Sequence, residues 1–340
     1  MADLEKPTVI ERFVHLIPLK YPLAALAWTF IIGPIGFRTV NFAQSGATPF
    51  QSPNPVNEFL GTLLGFYLFL AVAYLRSTVV RSKALITPIM TGGEEAYHSV
   101  FGRLTDNRSI ILLAVPLELL AFLVTSAYHS VSVLGFYNVV TQVVLILSFS
   151  SLIWEYSVAS WGLHRLGKSP LKLRSFLEDR FMGAKSIGNV ALSLTIAYLG
   201  GLLLFFLDSA TFLPVLDPRF AEFYLGFLVL GVVMFFLPLN SVHRRMQAEK
   251  ANRLRELNQQ LLTLKQSDKT GAVDGPASLE KVESAIRELV QLKDLEMTER
   301  KLAATPTWPF DIQVLARLII IALSVTAALL ARFIADFLKI

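Results

Sequence analysis

The stretch "KLAATPTWPFDIQVLARLII", residues 301–320, joins a long charge-rich segment to the last apolar run of the chain. Two prolines, which end helices, stand on either side of an indole, which prefers the water–lipid interface. Asp311 follows at the start of the apolar run, where the N-terminus of a helix favours a negative charge. The stretch therefore predicts a joint between a polar helix and a membrane helix, either a gate or only a corner, formed by Pro306, Trp308, Pro309 and Asp311.

The composition is that of a protein embedded in a membrane. Of 340 residues, 54% are hydrophobic and only 17% are charged, whereas a soluble domain carries about 25% charged residues. The chain has no cysteine, which excludes disulfides, thiolate metal sites and cysteine nucleophiles. Charged residues precede the first apolar run and no cleavage site follows it, so we predict no signal peptide.

Seven apolar runs are long enough to cross a bilayer, which needs about 20 residues per helix. They predict an all-α polytopic membrane protein with seven transmembrane helices. The first run contains Gly33-Pro34, which predicts a kink. The runs are 22–40, 57–75, 109–128, 133–156, 187–207, 222–240 and 311–337.

The loops between these runs alternate between basic and non-basic. The segment 39–57 has no lysine or arginine, whereas 76–108 and 157–186 are rich in both. The positive-inside rule converts this alternation into an orientation. We predict a multi-pass protein of the cell membrane with a cytoplasmic N-terminus and an external C-terminus.

The polar segment divides the chain into three predicted parts. They are a six-helix transmembrane domain with cytoplasmic helix extensions (1–240), a cytoplasmic helical hairpin (241–305) and a terminal transmembrane helix (306–340). Two apolar stripes at coiled-coil spacing predict the hairpin seam, which alone buries little surface and favours packing against other cytoplasmic segments or other copies. The stripes are Leu254, Leu257, Leu261 and Leu264, then Leu279, Val282, Ile286 and Leu289.

Two charges lie inside predicted spans. Glu118 lies in the third span and Arg317 in the seventh, at comparable depths from the cytoplasmic side. Because a charge in lipid is unfavourable, we hypothesise that they form an ion pair. The alternative is two separate residues that each face water or an interface.

The terminal helix carries a face of small residues. Ser324, Ala328, Ala331 and Ala335 recur at helical spacing, and Arg317 lies on roughly the same face. Such a face lets helices pack closely. Placed around a symmetry axis it could instead line a pore, and the sequence leaves both alternatives open.

No motif of catalysis or metal binding is recognisable. The segment "EEAYH", 94–98, lacks the two-histidine spacing of a zinc helix and is interpreted as a solvated turn. We expect no enzyme activity, cofactor, metal site or nucleic-acid partner. The expected partners are the lipid bilayer, further copies of the chain and a small-molecule ligand.

The arrangement resembles the seven-helix ligand-gated channels of the insect odorant and gustatory receptor superfamily. The resemblance is one of architecture, since the short Thr-Tyr signature of that family's final helix is missing from 312–333. It implies a tetramer with a cytoplasmic anchor formed by 157–186, 241–265 and 279–305, and a pore helix at 311–337. The segments 235–250 and 306–311 also look like parts of uncharacterised prokaryotic multi-span proteins.

Three functions are compatible with this layout. The first is an oligomeric ion channel whose last helix lines the pore. The second is a non-conducting membrane sensor or scaffold that binds a partner through its hairpin. The third is a small-solute transporter with a central cavity in each subunit, although the spans do not divide into the matching halves typical of many transporters.

Overall fold

The computed structural model describes residues 6–45, 55–124, 133–169, 171, 179, 181–209, 218–270 and 279–309. Of the terminal segment it describes 313, 316, 317, 319, 320, 323, 324, 326 and 327, all helical. The described part is built of helices in this order: α1 (Val9–Val14), α2 (Tyr21–Phe30), a π-helical turn (Ile31–Ile35), α3 (Gly36–Ser45), α4 (Pro55–Ile86), a 3-10 turn (Thr87–Ile89), α5 (Gly93–Phe101), α6 (Asn107–Val124), α7 (Val133–Lys168), α8 (Lys185–Ser209), α9 (Pro218–Thr270) and α10 (Leu279–Ala303). The predicted all-α fold is confirmed for these residues.

Five helical segments within the described residues are long and apolar enough to cross a membrane. They are Tyr21–Ala43, Pro55–Ile89, Val133–Lys168, Lys185–Ser209 and Tyr224–Leu264, and they cover the predicted first, second, fourth, fifth and sixth spans. The predicted third span begins on α6 and ends outside the described residues, as does most of the seventh. Those two spans and the orientation stay predictions.

The first span is kinked where the sequence predicted it. Gly33 has non-helical backbone angles (φ −82°, ψ −107°) inside the π-helical turn, directly before Pro34. The hydroxyl of Tyr137 on α7 donates to the carbonyls of Ile32 and Gly33. A neighbouring helix therefore satisfies the carbonyls near the break, as a kinked membrane helix requires.

The centre of the bundle consists of α4, α7, α8 and α9. Helices α4 and α9 each pack against both α7 and α8. Tyr156 of α7 stacks on Tyr198 of α8 with ring centroids 4.5 Å apart. Their hydroxyls donate to α9, to the carbonyls of Gly231 (2.7 Å) and Phe227 (2.9 Å). Both buried tyrosine hydroxyls are thus satisfied and tie three helices together.

Helix α9 continues without interruption from the apolar segment into the charged one. It has 53 residues, with Pro238 inside it, and is about 80 Å long. A bilayer core is about 30 Å thick, so much of α9 lies beyond it. The prediction that the sixth span extends as a helix is confirmed.

Helices α9 and α10 pack side by side and run antiparallel, because Lys250 contacts Ala303 while His243 contacts Thr307 further along. Leu261 is buried on α9 as predicted. On α10 two members of the predicted stripe, Ile286 and Leu289, are 58% and 68% exposed, whereas the side chains of Leu279 and Val282 lie outside the described part. Further along α10, Leu302 is buried, and Leu292 and Leu295 are half-buried.

The segment 94–98 is not a solvated turn but part of α5. Tyr97 is fully buried, and its hydroxyl donates to the carbonyl of Val79 on α4. Burial raises the pKa of Tyr97 to about 12. Glu94 is exposed and pairs with Lys83, whose hydrogen bond lowers the pKa of that carboxyl. The prediction of a turn is wrong, because the burial of Tyr97 against α4 is a tertiary contact that the local sequence does not reveal.

Candidate functional site

The joint after α10 begins with a cap supplied by α9. The ammonium of Lys250 donates to the carbonyls of Ala303 (2.7 Å) and Thr305 (2.8 Å). The last carbonyls of a helix have no partner within it, so a cation placed there satisfies them and complements the negative end of the helix. Sequence analysis missed Lys250, because its position in a run of charged residues gives no sign of this contact.

The rest of the joint packs on the same helix. Trp308 stacks on His243 of α9 with ring centroids 4.1 Å apart and an interplanar angle of 11°. Nδ1 of His243 lies 3.0 Å from the carbonyl of Thr307, and Pro309 is buried. The predicted residues Pro306, Trp308 and Pro309 thus form a packed connection, whereas Asp311 lies outside the described residues.

Every described side chain of the terminal helix is exposed in the single chain. Gln313, Arg317 and Ser324 are exposed, and so are the apolar residues between them. The hydroxyl of Ser324 donates to the carbonyl of Ile320 in its own helix (2.8 Å). The other proposed pore residues, Ala328, Ala331 and Ala335, lie outside the described residues. A single chain therefore leaves this helix uncovered wherever it is described.

Glu118 and Arg317 form no ion pair within the described part of the chain. Oε2 of Glu118 is buried on α6 and has no hydrogen-bond partner among the described residues. Arg317 is exposed on the terminal helix. Their pairing stays a prediction, which a contact between two copies of the chain would satisfy.

A buried ion pair, which sequence analysis also missed, fixes α1 to the bundle. Glu11 is 2% exposed and accepts a hydrogen bond from Nε of Arg76 on α4 at 2.8 Å. It also accepts from the backbone N–H of Thr8 at 2.9 Å, which completes a capping box. The Thr-x-x-Glu spacing at 8–11 is the signal that could have found the start of this helix.

Glu155 lies near this ion pair but takes no part in it. It is fully buried in α7, and neither carboxyl oxygen has a hydrogen-bond partner in the described structure. Its electrostatic neighbours are Glu11 and Arg76. The carboxyl groups of Glu11 and Glu155 therefore both lie near the guanidinium group of Arg76, and it is Glu11 that accepts its hydrogen bond.

No family model matches the chain, and no curated protein or solved structure is significantly similar to it. The fold therefore defines only a class. In its described part the protein is helical, with several helices able to span a membrane, a long helix that extends beyond them, and a packed joint leading into a final helix.

Proposed function

We propose that the protein is an oligomeric ion channel with seven membrane-spanning helices, in which the last helix of each copy lines the pore. The N-terminus is cytoplasmic and the C-terminus external, so the hairpin of α9 and α10 extends into the cytoplasm. The observation that carries the proposal is the complete exposure of the described part of the terminal helix, including Arg317.

The argument rests on the free energy of a charge in lipid. An arginine at the centre of a membrane helix is unfavourable by about 3 kcal/mol or more, so such residues face protein or water. Gln313, Arg317 and Ser324 share one helix face, because they are four and then seven residues apart. Since a single chain does not cover this face, further copies around an axis would cover it and enclose an aqueous path.

The joint supplies a connection between this path and the rest of the protein. Trp308 and Thr307 contact His243, and Lys250 caps α10. A displacement of α9 would therefore move the base of the terminal helix. In the proposed channel this contact transmits a stimulus from the bundle or the hairpin to the pore.

Cysteine substitution tests the pore assignment, and the natural chain has no cysteine to interfere. Ser324→Cys places a thiol on the proposed pore face, and Ile319→Cys places one on the opposite face of the same helix. In planar bilayers, a charged thiol reagent should block the current of Ser324→Cys and leave that of Ile319→Cys unchanged. Block of Ile319→Cys alone, or the absence of current from an intact oligomer, would contradict the proposal.

A specific observation also favours the scaffold alternative. Ile286, Leu289 and Val290 form an exposed apolar stripe on α10, beyond the membrane-spanning part of the chain. Such a stripe is typical of a helix that binds another helix. Native mass measurement in detergent separates the two functions. A channel requires three or more copies, whereas a scaffold with an open binding surface is a monomer or dimer.

A further inference from the structure

Helices α7 and α9 run parallel, and three contacts fix their relative height. The hydroxyl of Tyr156 donates to the carbonyl of Gly231, and Nδ1 of His164 lies 2.9 Å from the carbonyl of Leu237. Gly167 lies so close to Ser241 that a Cβ atom on it would be 2.1 Å from the serine Oγ. The end of α7 therefore lies level with the residues that follow Ser241.

Four exposed basic side chains lie near this height on the two helices. They are Arg165, Lys168, Arg244 and Arg245, which we call the basic collar. None of the four is in an ion pair within the described part of the chain. The local segments 161–169 and 241–248 contain no aspartate or glutamate. These two segments thus carry charge of one sign only, which would favour an anion beside them.

The charge pattern changes directly beyond the collar. Glu249 is the next acidic residue on α9, and it pairs with Arg253 at 3.1 Å. From there α9 and α10 carry both signs, as in the exposed ion pair Glu283–Arg287 on α10. The excess of positive charge is therefore confined to the height at which the apolar part of α9 ends.

Two exposed indoles lie at or just before this height, as is typical near a membrane surface. Trp308 is level with the collar, and Trp161 lies six residues, about 9 Å, before Gly167 on the membrane side. Trp161 on α7 is 52% exposed, and Trp308 is 37% exposed beside Arg244 through its stack on His243. Tryptophan is enriched where the bilayer meets water. Basic residues at that depth attract anionic lipids, whereas a soluble anion would gain nothing from the indoles.

We propose that the basic collar binds the headgroup of an anionic phospholipid at the joint, with Arg244 and Arg245 as its principal phosphate contacts. The guanidinium group donates paired hydrogen bonds to phosphate oxygens. Trp308 belongs to the segment that connects α10 to the terminal helix, and its indole lies against the part of the lipid next to the headgroup. The bound lipid thereby contacts both partners of the His243–Trp308 stack. This inference is independent of whether the protein conducts ions.

Native mass spectrometry of the purified protein with added lipid tests the proposal. Phosphatidylglycerol should bind the unmodified protein more tightly than phosphatidylcholine. The double substitution Arg244→Gln and Arg245→Gln should reduce that preference about tenfold, because two charges near the headgroup are lost. Arg244→Lys with Arg245→Lys keeps both charges and should keep most of the preference.

The matched control is Arg287→Gln, which removes an exposed arginine from α10 about 27 Å from the joint. It should leave the preference unchanged. An unchanged preference in the double glutamine variant at an unchanged melting temperature overturns the proposal, and so does an equal loss in Arg287→Gln. Release of the bound phosphatidylglycerol by an equal concentration of inorganic phosphate would assign the collar to soluble anions and also overturn it.

Discussion

Glu155 is a buried carboxyl group that accepts no hydrogen bond from the described part of the chain. Burial of a polar group without a partner is unfavourable by about 1–3 kcal/mol, and more for a charge. Glu11, by contrast, is buried with Arg76 and Thr8 as partners. The two carboxyl groups therefore make opposite contributions to stability.

Substitution of Glu155 with methionine should raise the stability of the fold. Methionine fills a similar volume and removes the unsatisfied group, so we expect a gain of about 1–2 kcal/mol. Glu11→Met, which removes the buried carboxylate that accepts from Nε of Arg76, should lower stability by about 2 kcal/mol. Thermal unfolding in detergent measures both. A lower melting temperature for Glu155→Met would mean that a bound water or cation satisfies the carboxyl group.

Tyr97 gives a pH dependence whose sign follows from its pKa. Burial raises the pKa of Tyr97 to about 12 from 10.0, so the folded protein holds this proton more tightly than the unfolded chain. The corresponding stability is complete below pH 10 and is lost as the pH rises from about 10 to about 12. The loss amounts to about 2–3 kcal/mol.

Tyr97→Phe removes this ionisation together with the hydrogen bond to Val79. Near pH 8 the variant should be less stable by about 1 kcal/mol, and that deficit should shrink and reverse by pH 12. Melting temperatures of both proteins across pH 8–12 supply the comparison. A deficit that stays constant across this range would show that Tyr97 ionises equally in the folded and unfolded states.

At the scale of elements, the contact between α7 and α9 depends on the absence of a side chain at one position. A Cβ atom on Gly167 would lie 2.1 Å from Oγ and 2.9 Å from Cβ of Ser241, and 3.0 Å from the backbone nitrogen of Val242. Rotation of the serine hydroxyl relieves only the first of these clashes. The helices would have to separate.

Gly167→Ala should therefore destabilise the protein by about 1–3 kcal/mol, as overpacking does in other cores. Gly226→Ala on α9 is the matched control, because nothing lies within 4 Å of its Cβ position. This control should gain about 0.5–1 kcal/mol from the better helix propensity of alanine. Unfolding in detergent distinguishes the two, and equal stability of both variants would contradict the close contact.

Some features of the helices could be predicted from the sequence, and others could not. The kink at Gly33 and the continuation of α9 beyond the sixth span were predictable, because proline chemistry and helix periodicity act locally. Which side of α10 is the more covered was not predictable. Ile286 and Leu289 satisfy helical spacing as well as Leu292 and Leu295 do, and only the partner helix decides which face is covered. The Lys250 cap depends on the same tertiary contact.

For the whole molecule, the predicted orientation has one decisive test. Asp274→Cys lies in the linker between α9 and α10, and Ile340→Cys lies at the C-terminus. If the terminal helix crosses the bilayer, a membrane-impermeant thiol reagent applied to intact cells should label Ile340→Cys alone. Disruption of the membrane should expose both. Labelling of both sites in intact cells would overturn the seven-span layout and the channel with it.

In the molecule as a whole, the membrane-spanning segments were the predictable part, because a lipid bilayer restricts the length and composition of a helix that crosses it. Segment length and apolar composition decide which stretches can span a membrane, and five of the predicted runs fulfil those criteria. The ion pair between Glu11 and Arg76 joins positions 65 residues apart. Such a long-range pairing cannot be read from residue spacing or composition. The burial of Glu155 beside this ion pair could not be read from them either.

The unbroken course of α9 has a mechanical consequence. From Ser241 to Thr270 its outer section measures about 45 Å. A rotation of about 5° at the membrane would swing its far end through about 4 Å, since a stiff rod multiplies a small angle by its own length. The reverse also holds: a force applied at that remote tip acts with a long moment arm on the stacked rings at the base of the final helix.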